Sequence, residues 1–276
     1  MLFGMIGGDR RQEVLLELLR KDGYPVAAYG VAWEKDWEEA VSAEVVLLPL
    51  PLCREGDTLN IAGENRGAVA LFRRLRRGQL ILAGQVKPAQ TVEALELGLN
   101  LIDYFRREEL TVANAAATAE GTVQVILEQL DRSLLGSRCL VLGFGRIGKL
   151  LSYRLAAMGA HVTAAARRPE SLAWARAYGY QALNIEKLEG GLAEFDVVVN
   201  TVPAPVLGAS RLRELKPGCL CIDVASVQGI DSAAAEELGL PNTWARALPG
   251  KLVPRTAGRI IRDTVYTIIK EQGVIL

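Results

Sequence analysis

Cys139-Leu140-Val141-Leu142-Gly143-Phe144-Gly145-Arg146-Ile147-Gly148 decides the fold of this chain. The four apolar residues read as a buried strand, and a helix follows from Gly148 to Met158. The Gly-x-Gly-x-x-Gly turn between them is the arrangement that holds a dinucleotide. Its first glycine permits the tight turn, the second lets the backbone approach a pyrophosphate, and the third lets helix and strand pack closely. The helix start adds free N–H groups and partial positive charge for the phosphates. The whole loop, Gly143, Phe144, Gly145, Arg146, Ile147 and Gly148, is therefore the candidate cofactor cradle.

Working outward, the alternation continues with a strand at His161–Ala166, a helix at Pro169–Tyr178, a strand at Asp196–Asn200, a helix at Ser210–Leu215 and a strand at Cys219–Val224. The end of the second strand reads the cofactor's ribose. NAD sites place an acid there to hold the 2′-hydroxyl. Here Ala166 is followed by Arg167 and Arg168, whose guanidinium groups suit a 2′-phosphate, so NADP is favoured and NAD stays possible. His161, the one histidine, begins that strand, away from the carboxyl edge where ligands bind. It is therefore badly placed for the acid/base work that histidine does in hydroxy-acid dehydrogenases.

The first half alternates too. Strands are expected at Leu2–Ile6, Tyr24–Tyr29, Glu44–Leu48 and Gln79–Ala83, with helices after Asp9, over Gly63–Arg77 and over Pro88–Leu97. The expected fold class is α/β, with two doubly wound Rossmann-like domains on parallel sheets. Residues 1–114 form a substrate-side domain, 115–136 a linking helix and 137–254 the dinucleotide domain; a final amphipathic helix in 255–276 packs back on the first. The domains are expected to close over the cofactor, since hydride transfer benefits from excluding water.

The chain has 276 residues, half of them hydrophobic, and 32 basic side chains balance 32 acidic ones. That balance gives no general pull toward nucleic acid or acidic membranes. The dense basic run Arg73-Arg74-Leu75-Arg76-Arg77 reads as a solvated helix end before Gly78. Cys53, Cys139, Cys219 and Cys221 form no Cys-x-x-Cys pair and no metal set is expected. No stretch approaches the roughly 18 apolar residues of a membrane span, and Asp9, Arg10 and Arg11 interrupt the apolar start too early for a signal peptide. A soluble, cytosolic protein with reduced thiols is expected.

Several stretches together resemble one family. They are Ile6-Gly7-Gly8-Asp9-Arg10-Arg11-Gln12, Thr118-Ala119-Glu120-Gly121-Thr122, the glycine loop, Asn200-Thr201-Val202-Pro203, Asp223-Val224-Ala225-Ser226, and Leu248-Pro249-Gly250 leading to Pro254-Arg255-Thr256-Ala257-Gly258. In this order and spacing they are similar to the A subunit of dipicolinate synthase. The resemblance implies NADP-dependent oxidation of a dihydrodipicolinate-type intermediate to pyridine-2,6-dicarboxylate during sporulation, in the mother-cell cytoplasm. It also implies an oligomer with a small flavoprotein-like B subunit. The chain departs from the family pattern at Ala115, Ala117, Val227-Gln228-Gly229 and Lys251.

On that reading, Asn200, Thr201, Val202 and Pro203, with Asp223, Ala225 and Ser226, end neighbouring strands and form the wall behind the nicotinamide and its ribose. A dicarboxylate needs cations or N–H groups. The Gly7-Gly8 turn is an expected anion site, and Arg255 with Arg10 or Arg11 are the expected carboxylate grips, with Lys251 beside them. Glu120, taken to start the bridging helix, is the candidate proton acceptor; Thr118, Thr122 and Asn114 are polar candidates nearby. Each of these residues has an ordinary reading as a helix cap or a surface charge. Two other functions stay open: a general NADP-dependent keto- or hydroxy-acid dehydrogenase, and a non-catalytic dinucleotide-binding subunit.

Overall fold

The central strands of this chain are short and apolar, each followed by a segment that crosses over the sheet, and the outcome is two parallel sheets. The computed structural model describes residues 1–273. In chain order the first set is β1 (Phe3–Ile6), α1 (Arg10–Lys21), β2 (Val26–Tyr29), α2 (Trp37–Ser42), β3 (Val45–Leu47), α3 (Ala68–Phe72), β4 (Leu80–Ala83), α4 (Pro88–Glu96) and β5 (Asn100–Asp103). The long α5 (Glu108–Gln129) leads to β6 (Arg138–Leu142), α6 (Arg146–Ala157), β7 (His161–Ala166), α7 (Pro169–Ala177) and β8 (Gln181–Asn184). Then come β9 (Val197–Asn200), α8 (Ala209–Leu212), β10 (Leu220–Asp223), α9 (Ser232–Glu237), β11 (Asn242–Trp244), α10 (Leu248–Leu252) and α11 (Pro254–Glu271).

The chain divides into two compact units: Met1–Asn114 together with the chain from Pro249 onward, and Ala115–Leu248. In the first, the sheet order is β2-β1-β3-β4-β5, all parallel, with the strand order reversing between β1 and β3. Alternate residues feed opposite faces. Val45 and Leu47 join Phe3, Met5, Leu15 and Leu19 on one face, while Val46 joins Ile6, Ile81, Leu71 and Phe72 on the other. Helix α11 seals the first face with Ile261, Val265, Ile268 and Ile269, which recur at helical spacing. Each of these buried aliphatic side chains contributes roughly 1.5–3 kcal/mol. Gly258 sits against Val14 and the Arg11 carbonyl, and Arg262 and Tyr266 reach Asp22, so α11 runs parallel to α1.

In the second unit the order is β11-β10-β9-β6-β7-β8, again all parallel, with the reversal between β6 and β9. Renumbered from β6, this is the 3-2-1-4-5-6 order of a dinucleotide-binding sheet. Cys139, Val141, Val197 and Val199 face Leu151 and Leu155 of α6, and Leu140, Leu142 and Val198 face Phe195 and Leu212.

Several boundaries differ from the sequence reading. Helix α5 begins at Glu108 rather than Ala115, because Glu108 and Glu109 suit the positive start of a helix. It ends at Gln129, so 130–136 is an irregular connection and not part of a linking helix. The expected helix over Gly63–Arg77 shrinks to α3, because Thr58 bridges Gly67 and the Asp57 carbonyl takes the Ala68 N–H at 2.8 Å. The return to the first unit falls at Pro249 rather than after 254. The last residues of the segment expected to pack back, 274–276, lie outside the described residues.

Candidate active site

The glycine loop occupies the reversal point of the second sheet, between β6 and α6. Gly143 has φ +93°, and a Cβ there would meet the Thr201 hydroxyl at 2.4 Å. At Gly148 a Cβ would fall 2.1 Å from the Gly143 carbonyl oxygen, so helix and turn touch backbone to backbone. Gly145 is different: a Cβ there would meet nothing within 4 Å, and its φ is an ordinary −82°. Nothing in the protein requires glycine at Gly145. Open space above the middle glycine of such a turn is what a closely approaching pyrophosphate needs. The residues therefore fit a nicotinamide dinucleotide. Phe144 turns inward against Ala164, Ala166 and Ala175, and Arg146 opens α6, with Ile147 half-buried beside it.

An open depression of about 770 Å³ adjoins the loop. Gly145, Arg167, Arg168, Pro203 and Arg211 are among the residues that line it. Arg167 and Arg168 are exposed at the exit of β7; among the described residues Arg167 has no ion pair, and Arg168 has only a long one, 3.9 Å, to Glu170. Ser171 and Arg211 were missed by the sequence reading. Ser171 lies in the first turn of α7 and was within reach of the pattern; Arg211 lies in the short helix α8 and is brought to the depression by the 204–208 segment before it, which no local signal announces.

The turns after β9 and β10 are pinned by their own polar side chains. The Asn200 amide donates to Asp223 Oδ1 and to the Val202 carbonyl, both at 3.0 Å, and its oxygen accepts the Val202 N–H. Asp223 also accepts the N–H groups of Ala225, Gly229 and Ile230 at 3.0, 2.6 and 2.9 Å. The Thr201 hydroxyl donates to the Leu142 carbonyl at 2.8 Å. Asn200, Thr201 and Asp223 therefore shape the wall from behind; their polar atoms are committed to the loops. Val202 and Pro203 line the depression, Ala225 is buried with its carbonyl taking the Trp244 indole N–H, and Ser226 is exposed.

The first unit corrects two expectations. The Gly7-Gly8 turn is not an anion cradle: Gly7 N–H donates to the Tyr29 carbonyl at 2.8 Å and Gly8 N–H to the Asn60 carbonyl at 2.7 Å. The Ile61 side chain fills the space a Cβ on Gly7 or Gly30 would need. Nor is Arg11 a free grip. It is buried, paired with Asp9 at 2.7 Å and hydrogen-bonded to the Leu50 carbonyl, with Gly250 packed against the pair. The signal was available, since Arg11 lies in helical phase with Leu15 and Leu19 on the buried face of α1. Arg10, Lys251 and Arg255 are exposed and, among the described residues, make no ion pair. The parallel packing of α1 and α11, with Gly250 against Arg11, gathers these three at one end of the unit.

Glu120 does not start a helix. It lies well inside α5, exposed, with its carboxylate 3.0 Å from Arg154 of α6. Thr118 is buried, and its carbonyl accepts the Thr122 hydroxyl at 2.8 Å. The thiols are core residues: burial pushes Cys139 up to about 12 and Cys53 above its ordinary value. Among the described residues no group of His, Cys, Asp and Glu is placed to hold a metal ion, and no helix is long and apolar enough to cross a membrane.

Sheet order, glycine loop and open cradle define an NAD(P)-dependent oxidoreductase. Residues 103–238 match the family model described as "D-isomer specific 2-hydroxyacid dehydrogenase, NAD binding domain", which supplies the same class. Residues 3–105 match the family model for the N-terminal domain of the dipicolinate synthase A subunit. The curated A subunit of dipicolinate synthase from Bacillus subtilis (strain 168) is 31% identical over 172 residues, 62% of this chain and 58% of that protein. The crystal structure of the Bacillus halodurans A subunit superposes with a TM-score of 0.84 at 26% identity, covering 97% of both chains. The crystal structure of its Bacillus subtilis counterpart gives 0.85 at 24% identity over 98% of this chain and 96% of that one. In its N-terminal domain, in sequence and in structure the chain is similar to dipicolinate synthase A subunits, and these likenesses together support that identification.

Proposed function

We propose that this chain is the A subunit of a dipicolinate synthase, oxidising a dihydrodipicolinate-type dicarboxylate to pyridine-2,6-dicarboxylate with NADP as acceptor. The observation that carries the proposal is Gly145, open and unconstrained beside Arg167 and Arg168 in one depression. The second unit holds the cofactor. The positive start of α6 receives the pyrophosphate, and the two exposed arginines take a 2′-phosphate, with no acid at the end of β7 to prefer a hydroxyl.

The first unit holds the substrate. Arg10, Lys251 and Arg255, exposed cations with no ion pair among the described residues, lie around the starts of two parallel helices, and two carboxylates need such partners. Holding donor and acceptor in register can supply roughly 7–11 kcal/mol of a barrier. A nicotinamide held on this loop would supply the two-electron acceptor for the hydride that a dihydropyridine ring must lose to become aromatic. The ring also releases one proton, which a water-exposed carboxylate such as Glu120 can take. Arg11 and Asp9 position the loops beneath the substrate and do not touch it. A hydroxy-acid dehydrogenase reading is weaker, because His161 begins β7, at the edge of the sheet opposite the glycine loop. Sporulation, the mother-cell cytoplasm and a flavoprotein-like B subunit belong to this same proposal.

The test mixes the purified chain with freshly made product of the preceding lysine-pathway synthase, with and without the B subunit. Reduced nicotinamide and dipicolinate are assayed together. Their coupled appearance supports the proposal; cofactor binding with neither product, even with the B subunit, refutes it.

A further inference from the structure

Strand β2 ends in a two-residue hairpin that exposes a tryptophan. Gly30 N–H donates to the Glu34 carbonyl and Glu34 N–H to the Val31 carbonyl, both at 3.0 Å, and Tyr29 bridges Lys35. Between them Ala32 and Trp33 have φ of 49° and 66°. Two successive left-handed residues make a type I′ turn, for which Asn-Gly is the favoured pair and side chains such as these are strained. The indole recovers nothing within the chain, since Trp33 is 97% exposed.

A second local cost faces the same place. Glu13 and Glu17 are like charges one turn apart on α1, both exposed, and neither has an ion-pair partner among the described residues. With Trp33, Leu16, Arg20 and Glu34 they wall an open depression of about 270 Å³. Arg20 is already committed to Glu34 at 2.6 Å, so the surface around the indole is net acidic. Strain and repulsion that the chain's own packing does not repay are retained where something outside it repays them. Exposed tryptophan is the side chain most enriched among binding hot spots.

We infer that the Val31–Glu34 turn and the acidic face of α1 are a docking point for a partner protein chain. Its contact surface offers an apolar pocket for the indole, rimmed by lysine or arginine. The inference takes that partner to be the synthase's second subunit, and so rests on the functional reading above.

The test uses the full chain, immobilised, with the purified B subunit of dipicolinate synthase as probe, at low and moderate salt. Trp33→Gly removes the indole and relieves the strained turn, so the variant should melt at or above the parent temperature yet bind about tenfold or more weakly. Glu13→Lys with Glu17→Lys should weaken binding and flatten its salt dependence. The catalytic step in the chain alone should be unchanged in both. Equal affinity of parent and both variants overturns the docking point and leaves the functional reading intact. No binding by the parent chain overturns both.

Discussion

Two glycines of one loop should fail in opposite ways when each becomes alanine. At Gly148 the new Cβ would lie 2.1 Å from the Gly143 carbonyl oxygen and 2.9 Å from its carbon. Both are backbone atoms held between β6 and the start of α6, so neither can swing aside. Overpacking typically costs about 1–3 kcal/mol, and two backbone partners put Gly148→Ala at the upper end. At roughly 2–4 °C per kcal/mol for a chain of this size, its melting temperature should fall by roughly 6–12 °C. At Gly145 the same methyl meets no protein atom, so Gly145→Ala should melt within about 2 °C of the parent. It should lose NADPH affinity by at least tenfold, because the methyl stands where the pyrophosphate must lie. Thermal denaturation followed by circular dichroism, and NADPH titration by nicotinamide fluorescence, read the two quantities separately. The assignment is refuted if Gly145→Ala binds NADPH like the parent, or if it melts as early as Gly148→Ala.

Other outcomes follow from the same geometry. Arg167→Ala with Arg168→Ala should lower the preference for NADPH over NADH about tenfold, by direct titration, with NADH affinity little changed. Arg10→Ala and Arg255→Ala should raise KM for the dicarboxylate without altering NADPH binding; unchanged KM in both would remove them from the substrate site. The pH dependence of stability should carry an acid limb from Asp196. Burial raises the pKa of its carboxyl, but Lys216, the Arg138 N–H and Arg132 together hold it below the ordinary value. A depressed acid stabilises the fold above its unfolded pKa of about 3.9 and loses that contribution as pH falls through the folded value. Asp196→Asn should therefore melt earlier at neutral pH, and the gap to the parent should narrow below about pH 4 in melting curves.

Periodicity and turn chemistry made the dinucleotide unit legible before its geometry was known. Cys139–Leu142 is buried on both faces and reads as a continuous apolar run, and Arg167-Arg168 follows β7 by local position alone. Edge strands were harder. Gln181 to Asn184 and Asn242 to Trp244 carry polar residues on a partly exposed edge, so they make no apolar run. Side-chain direction was the other gap. Arg10 and Arg11 are neighbours with one chemistry, yet helical phase sends the first to solvent and the second under the turn. Glu120 was misplaced because the start of α5 depends on Glu108 and Glu109, upstream of the apolar pattern that defined the expected helix.

The two glycine turns show why a motif needs its surroundings. Gly7-Gly8 and Gly143-Phe144-Gly145 each follow a central strand at the point where strand order reverses, and each opens a helix. By position alone both are ligand sites. In the first unit the 54–67 segment supplies its own ligand: Asn60 takes the Gly8 N–H, Ile61 fills the hollow under Gly7 and Gly30, and Arg11 closes the remaining side onto Leu50. In the second unit no such segment intervenes, and Gly145 faces open space. The reversal point of one sheet is thus plugged by the chain while that of the other stays open. The N–H groups of the Gly7-Gly8 turn are therefore not available to a ligand, and a substrate bound to this unit, as proposed, would need other partners. On the proposed reading the cations that would serve instead are Arg10, Lys251 and Arg255, which are exposed and make no ion pair among the described residues. If Ile61→Gly emptied the hollow and the chain then bound phosphate at Gly7-Gly8, the plug would be what separates the two turns; if it bound none, the difference would lie in the turns themselves.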